Sequence, residues 1–529
     1  MNAFDILILG GTVFDGGGGP PALLDIGISG GRITLAGRAG PGAGAARVLD
    51  ARGLHVSPGF IDVHSHSDFT LLADPMAAEG KLFQGVTTEV NGNCGLSGGP
   101  LLGDAAGQRE NDLRELGINE RWTGMDEYLR LVGGRGLFMN FATLCGHGNL
   151  RASAMGYADR EPEDAELDRM AVLLSESLDA GAIGLSSGLI YPPGIYSRTG
   201  ELVELAGRGR RCAENFIYAT HMRNEGDALL EAIREAVTIG RAAGRLQISH
   251  IKTAGRGNWG KIDGAIRIVE EAAHSGLRVS ADRYPYTAAS TDLDTILPAW
   301  AWEGGAGAEM ARLKNPETLK RISDGIKKDP SYWGSVVISS TPSRTDGWME
   351  GKTLEAVARE LGKPPVEALF QILIGGELRV SAIFHSMNEE NLLRFYRQPW
   401  VMVGSDSSAR SFGGITAIGV PHPRTFGTFP RYLKRYTMEK EALTVSEAIR
   451  RITSFPAETF GLGGRGFVKE GFWADLAVFD PAALKDMATF EEPFRKAEGM
   501  VHLVVNGKAV MADGALTGRR PGRVLKKGI

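Results

Sequence analysis

Imidazole, thiol and carboxyl groups recur in this sequence directly after short apolar runs. The first run leads into His64 and His66, and residues two apart share one face of a strand, so both rings can point the same way. Four later runs are followed by such a residue, namely Cys94, His221, His250 and Asp406. Imidazole and thiolate suit zinc in sites that leave one position for water. A nearby carboxylate can take a proton from that water and pass it to a leaving amine.

The elements that must position these residues alternate between β runs and amphipathic helical stretches such as Asp164–Ala180. Eight apolar β runs lie between residues 58 and 465: Phe60–His64, Val86–Val90, Leu137–Leu144, Ala182–Leu185, Phe216–Thr220, Leu246–Ser249, Leu277–Ala281 and Val401–Gly404. Eight runs, mostly separated by helices, predict an α/β protein built on a (β/α)8 TIM-like barrel. The C-terminal ends of barrel strands face the active site, so this fold would gather the candidate residues in one mouth.

Both ends of the chain are rich in β structure. Asp5–Leu9 and Thr12–Phe14 are predicted as two strands with a turn at Gly10-Gly11, and Asn506-Gly507 between apolar strands predicts a hairpin. We therefore predict a small β-sandwich domain from residues 1–57 plus 466–529 and a metal-dependent barrel over 58–465. The barrel span exceeds the roughly 250 residues that are typical. The largest excess, about 293–395, is predicted as a lid insertion between strands 7 and 8.

Composition narrows the class of protein further. The 529 residues include 59 Lys and Arg against 63 Asp and Glu, a net charge of −4, and no basic stripe typical of a nucleic-acid partner is present. Three cysteines, Cys94, Cys145 and Cys212, cannot form a disulfide framework. No run of 18 apolar residues and no signal peptide are found. The sequence predicts a cytoplasmic protein that acts on a small molecule, with monomer and homo-oligomer both left open.

Several motifs resemble those of a known family. Pro58-Gly59-Phe60-Ile61-Asp62-Val63-His64-Ser65-His66 resembles the strand-one signature of the amidohydrolase superfamily. Four more segments resemble the N-acyl-D-amino-acid deacylase (D-aminoacylase) family: residues 91–95, 220–223, 404–406 and 422–431. The resemblance covers nearly the whole chain. It implies a zinc-dependent hydrolase that cleaves the amide bond of N-acyl-D-amino acids and releases a carboxylate and a free D-amino acid.

The resemblance also implies roles for individual residues. A tightly bound zinc would be held by Cys94, His221 and His250. A second, weaker metal position would involve His64 and His66, with Cys94 as a bridge. Asp406 would act as general base and then as general acid. The substrate would be contacted by a set of five side chains: Lys252, Tyr284 and Arg424 at the carboxylate, Ser290 assisting and Tyr191 lining the pocket.

Two other functions stay open at this point. Many superfamily members bridge two metals with a carboxylated Lys on strand four, but run four here ends Gly184-Leu185-Ser186-Ser187-Gly188, which counts against hydantoinase-like and dihydroorotase-like enzymes. An amidohydrolase acting on a different, cyclic or xenobiotic amide with the same metal centre is the alternative. A non-catalytic scaffold is disfavoured, because such proteins usually lose metal ligands. The preferred side chain, the acyl group and the number of metals are not determined by the sequence.

Overall fold

The structure is a computed structural model that describes residues 3–326, 329–342 and 344–526. The outermost residues of the predicted small domain, and residues 327, 328 and 343 of the predicted lid, lie outside the described residues. Within the described ranges the strands form four sheets, of nine, six, three and three strands. No helix among the described residues is long and apolar enough to cross a membrane.

Two of the sheets are wholly parallel and carry the predicted β runs. One contains Phe60–Asp62, Val86–Asn91 and Asn140–Thr143. The other contains Cys145–Gly146, Gly184–Gly188, Ile217–His221, Arg245–Ile248, Arg278–Asp282 and Val401–Met402. The sheets meet at both edges, through a 2.9 Å hydrogen bond from the Ile183 amide to the Thr143 carbonyl and a parallel bridge between Ser65 and Ser407. The C-terminal ends of these strands therefore lie on one side of the molecule.

Amphipathic helices cover the outside of these strands. The helix Leu229–Ala243 buries Leu229, Ile233, Ala236 and Ile239, which recur every three or four residues, and Gly244 ends it with φ 82°. Other helices of eight residues or more around the parallel strands are Gly103–Glu115, Met125–Gly134, His147–Met155, Asp164–Ala180, Thr199–Cys212, Ile262–His274, Glu389–Tyr396 and Arg424–Arg431. Shorter helices are Thr70–Ala73, Glu79–Leu82, Val445–Arg450 and Ser454–Phe460.

The strands from the two chain ends join in one nine-stranded sheet. Its members are Phe4–Val13, Ala22–Ser29, Arg32–Gly37, Ala45–Asp50, His55–Pro58, Leu476–Phe479, Met500–Val505, Lys508–Ala512 and Ala515–Leu516. His55–Pro58 pairs with a strand from each chain end, so one continuous sheet joins the two terminal segments. The predicted hairpin is present, with φ 46° at Asn506 and 73° at Gly507.

The predicted turn at Gly10-Gly11 is wrong. Phe4–Val13 is a single strand, and its register with Ala22–Ser29 shifts between Ile8 and Gly11. Gly10 has φ 68°, and its amide donates a 2.8 Å hydrogen bond to Asp25 Oδ1. A bulge of this kind kinks a strand without ending it, so the glycines accommodate a bulge and not a reversal of the chain.

The segment between the last two parallel strands forms a unit with its own core. Its antiparallel sheet contains Ala288–Asp292, Val336–Ser340 and Ser381–His385, and its helices are Ala306–Lys314, Pro316–Gly325, Pro330–Trp333, Leu354–Glu360 and Pro365–Gly375. Trp302, Trp333 and Leu369 are among the residues buried in this core. The unit begins earlier than the predicted boundary at 293, because Ala288–Asp292 pairs with Ser381–His385.

Candidate active site

Four predicted site residues meet at the C-terminal ends of the parallel strands. One nitrogen, sulfur or oxygen atom from each of His64, Cys94, His250 and Asp406 lies within 4.8 Å of all the others. Cys94 Sγ is 3.3 Å from His64 Nε2 and 3.6 Å from His250 Nε2. All four residues are buried. Imidazole, thiolate and carboxylate donors at these separations suit zinc.

A second group adjoins the first and shares His250 with it. Within 4.8 Å of one another lie ligand atoms of His221, Glu225 and His250. His250 Nε2 is 2.9 Å from His221 Nδ1, and His250 Nδ1 is 2.9 Å from Glu225 Oε1. His221 Nε2 is buried without a hydrogen-bond partner in the described part of the chain. Such a buried nitrogen is costly unless something binds it, which fits a metal position.

Backbone geometry also distinguishes these residues. Cys94, His250 and Asp406 have φ angles of 53°, 35° and 51°, in the left-handed region that side chains other than glycine rarely adopt. Each such residue costs on the order of 1–3 kcal/mol, and residues of this kind cluster at functional sites. The strand-end loops therefore hold these side chains in positions that a relaxed backbone would not provide.

Asp406 has a positively charged environment. Its Oδ2 accepts a 2.7 Å bond from Arg424 Nη1, and its Oδ1 lies 3.2 Å from His66 Nε2 and 3.4 Å from His64 Nε2. Burial alone would raise the pKa of Asp406, but the positive charges of Arg424 and neighbouring histidines outweigh it and hold the pKa well below its usual range. His66 contacts Asp406 but is not in either group of ligand atoms above. The carboxyl group is therefore ionised, which is the form that a general base requires.

The thiol of Cys94 is likewise favoured in its ionised form. Burial opposes ionisation, but the charge of His64 and hydrogen bonds from the surrounding histidines outweigh it and hold the pKa of Cys94 well below that of an ordinary thiol. Cys145 has no such partners, and burial raises its pKa to about 12. Because thiolate is the form that binds metal, only Cys94 of these two buried cysteines is prepared for that role.

Sequence analysis missed three residues that support the site. Glu225, four residues after His221, contacts both His250 and Lys252. Asp282 ends the strand Arg278–Asp282, lies 3.2 Å from His64 Nδ1 and accepts a 2.9 Å bond from the His250 amide. Lys81 is fully buried and bonds Asp62 Oδ2 at 2.6 Å. Only Asp282 could have been predicted from the sequence, because it directly follows the apolar run Leu277–Ala281, as the predicted site residues follow theirs.

The predicted substrate-contacting residues surround the same centre. Lys252 Nζ lies 2.9 Å from His250 Nδ1. Arg424 Nη2 donates to the Ser290 carbonyl at 3.1 Å, and its guanidinium lies 4.7 Å from the centre of the Tyr284 ring. Tyr191 packs edge-on against His221, with the ring centres 5.0 Å apart. All five side chains border one cavity of about 700 Å³, together with Cys94, His221, His250 and Asp406.

The fold joins a parallel-stranded α/β body to a nine-stranded sheet from both chain ends, and imidazole, thiolate and carboxylate groups lie at the ends of the parallel strands. This is the arrangement of a metal-dependent hydrolase. The model of the amidohydrolase family matches residues 47–511, and the chain belongs to that family.

Relatives within the family are similar over almost the full length. An N-acyl-D-glutamate deacylase of Alcaligenes xylosoxydans xylosoxydans is 36% identical, with 99% of this chain and 96% of that protein covered. A D-aminoacylase of the same organism is 35% identical, with 99% and 98% covered. The crystal structure of an N-acyl-D-glutamate deacylase from Bordetella bronchiseptica, complexed with zinc and a phosphonate inhibitor that mimics the tetrahedral intermediate, matches with a TM-score of 0.84 at 32% identity, covering 99% of each chain.

Proposed function

We propose that this protein is a zinc-dependent hydrolase of the amide bond of N-acyl-D-amino acids. The observation that carries the proposal is the buried convergence of His64, Cys94, His250 and Asp406 beside two cationic side chains, Lys252 and Arg424. A metal held by such ligands would account for cleavage of the amide bond, and the two cationic side chains would account for binding of a substrate carboxylate. The full-length relatives, two of them N-acyl-D-glutamate deacylases and one a D-aminoacylase, support the same chemistry.

Five residues of this chain are the proposed zinc ligands. Cys94, His221 and His250 would hold the tightly bound ion, and His64 and His66 would contribute to a second, weaker position together with Cys94. The unpartnered nitrogen of His221 and the ionised thiol of Cys94 support this assignment. When bound, zinc would polarise the scissile carbonyl and make a water molecule more acidic.

Asp406 moves the proton in this scheme. Its carboxylate takes a proton from the attacking water and, once protonated, delivers that proton to the nitrogen of the departing amine. Arg424 and His66 hold Asp406 in place through bonds of 2.7 and 3.2 Å. The buried position favours the reaction further, because fixed charges act more strongly where water is excluded.

Arg424 connects catalysis with substrate binding. One arm of its guanidinium bonds Asp406, and the other donates to the Ser290 carbonyl. A substrate carboxylate would replace that carbonyl and receive a charge-assisted bond in its place. Lys252 and Tyr284 complete the anchor, and Tyr191 borders the same cavity. Fixing the carboxylate, the scissile carbonyl and the side chain at three places selects one enantiomer.

The larger organisation is assigned as follows. The parallel strands form a (β/α)8 barrel over residues 58–465, and the segments 1–57 and 466–529 form the small β domain. The insertion predicted at about 293–395, which the pairing of Ala288–Asp292 extends back to residue 288, is a lid over the barrel mouth. The lid assignment is supported by Trp302 and Leu378, which border the same cavity as His221. The three free cysteines support a cytoplasmic location.

Amine release from paired N-acetyl-D- and N-acetyl-L-amino acids tests the proposal. Zinc-loaded enzyme should turn over only the D enantiomers, and its metal content should be measured in the same sample. Turnover of L substrates at similar rates would refute the assigned stereochemistry. Absence of turnover for both enantiomers, with zinc bound, would favour the alternative of a cyclic or xenobiotic amide.

A further inference from the structure

The outer part of the cavity is bordered by more acidic than basic side chains. Arg109 is paired with Asp112 at 2.8 Å, and Arg379 is paired with Glu115 and Glu377. These residues border the cavity beyond the metal ligands. Each outer arginine therefore has a carboxylate partner in this chain, although Nε of Arg379 makes no hydrogen bond among the described residues.

Three further carboxylates border the same region without such partners. They are Asp292, Asp294 and Glu309. No ion pair joins them to a basic side chain in the ranges that the structure describes. Among the described residues, only Asp292 of the three has a side-chain donor, Ser381 Oγ at 3.3 Å. The wall therefore presents unpaired carboxyl groups to the cavity, and burial raises the pKa of Asp292, Asp294 and Glu309 toward the neutral form in the absence of a cation.

Glu309 has a buried carboxyl oxygen that nothing in the described part of the chain satisfies. The residue is only 4% exposed, and its buried Oε1 has no hydrogen-bond partner among the described residues. Burial raises the pKa of Glu309 to about 8, with Arg312 opposing and Asp292 adding to the shift. An unpaired buried polar group costs free energy that a bound partner would remove. A hydrogen-bond donor with positive charge is the partner that suits this atom.

One of these carboxylates, Asp292, lies on the strand whose Ser290 carbonyl accepts a bond from Arg424. Arg424, the proposed carboxylate anchor, donates to the Ser290 carbonyl, and Asp292 follows on the same strand two residues later. Two strand residues span about 7 Å. A D-amino acid held at Arg424 would thus direct a side chain of several atoms along this strand toward Asp292.

We propose, resting on the proposed function, that the outer wall formed by Asp292, Asp294 and Glu309 selects N-acyl-D-amino acids with cationic side chains, N-acyl-D-arginine and N-acyl-D-lysine. A guanidinium group can bond two carboxylate oxygens at once. The rings of Trp302 and Tyr157 border the same region and can stack against a cation. The three carboxylates belong to no group of described metal-ligating residues with atoms within 4.8 Å of one another, so an organic cation suits them better than a metal ion.

The decisive comparison uses N-acetyl-D-arginine and N-acetyl-D-citrulline, which are almost equal in shape and differ in charge. With zinc-loaded wild-type enzyme, kcat/KM should be at least about tenfold higher for the arginine substrate, the effect of one charge-assisted hydrogen bond. N-acetyl-D-glutamate should be the poorest substrate in the panel. Glu309→Gln should lower the arginine-to-citrulline ratio by about tenfold. Asp292→Asn, at an exposed position, gives the same test if the buried variant folds poorly.

Glu303→Gln is the matched control, since Glu303 is exposed, lies in the same insertion and does not border the cavity. This variant should keep the wild-type ratio. Equal turnover of arginine and citrulline substrates, or a preference for N-acetyl-D-glutamate, would overturn the inference while leaving the deacylase function intact. Failure to hydrolyse any D substrate, N-acetyl-D-leucine included, would instead refute the proposed function and this inference with it.

Discussion

Replacing Asp406 with Asn tests the proposed mechanism at its centre. Asn has nearly the same shape and can still accept the 2.7 Å bond from Arg424, but it cannot take a proton from water. The substitution removes both the base step and the acid step. General acid–base catalysis contributes typically about 10²–10⁴-fold, which corresponds to about 3–5 kcal/mol of activation free energy. We therefore expect kcat to fall by at least about a hundredfold.

The assay combines amine release with zinc analysis of the same preparation. Zinc content should stay near that of the wild type, because Cys94, His221 and His250 are unchanged. Asp486→Asn is the control, since Asp486 pairs with Arg431 at 2.9 Å, is half-buried and does not border the cavity. That control should keep wild-type turnover. A zinc-loaded Asp406→Asn enzyme with kcat within about threefold of the wild type would refute the role of Asp406.

The remaining predictions concern the anchor, the metal and the fold. Arg424→Ala should raise KM for carboxylate substrates by about tenfold or more, because a charged hydrogen bond to the substrate is lost. An unchanged KM would exclude the anchor role of Arg424. Cys94→Ala should weaken zinc binding by about a hundredfold or more, because removing a residue that only hydrogen-bonds a metal-ligating His already costs about 10–100-fold in affinity. Full zinc content after dialysis would contradict the assignment of Cys94 as a ligand. Lys81→Met should destabilise the protein by about 3–5 kcal/mol, because Asp62 and Glu89 would remain buried without their cation. A thermal unfolding midpoint equal to that of the wild type would show that the Lys81 ion pairs contribute nothing.

Much of the fold was accessible from local patterns in the sequence. The predicted helix Asp164–Ala180 has the observed bounds, and each predicted β run overlaps an observed parallel strand. Apolar periodicity made this possible, because a residue's place in a helix or strand depends mostly on its neighbours in the chain. The Gly10-Gly11 segment was misread, since the same two glycines suit a turn and a bulge equally well, and only the pairing with Ala22–Ser29 selects the bulge.

The sequence by itself also determined which side chains follow the strands, and therefore His64, Cys94, His221, His250 and Asp406 as candidates. A parallel sheet brings such residues together whatever lies between them in the chain. The tertiary structure alone decided which atoms face one another. Glu225 joins His250 and Lys252, Asp282 holds His64, and the carboxylates of the insertion face the outer cavity. These contacts join segments far apart in the chain, and no local pattern encodes them, because their distances arise only when the parallel strands and the insertion pack around one cavity.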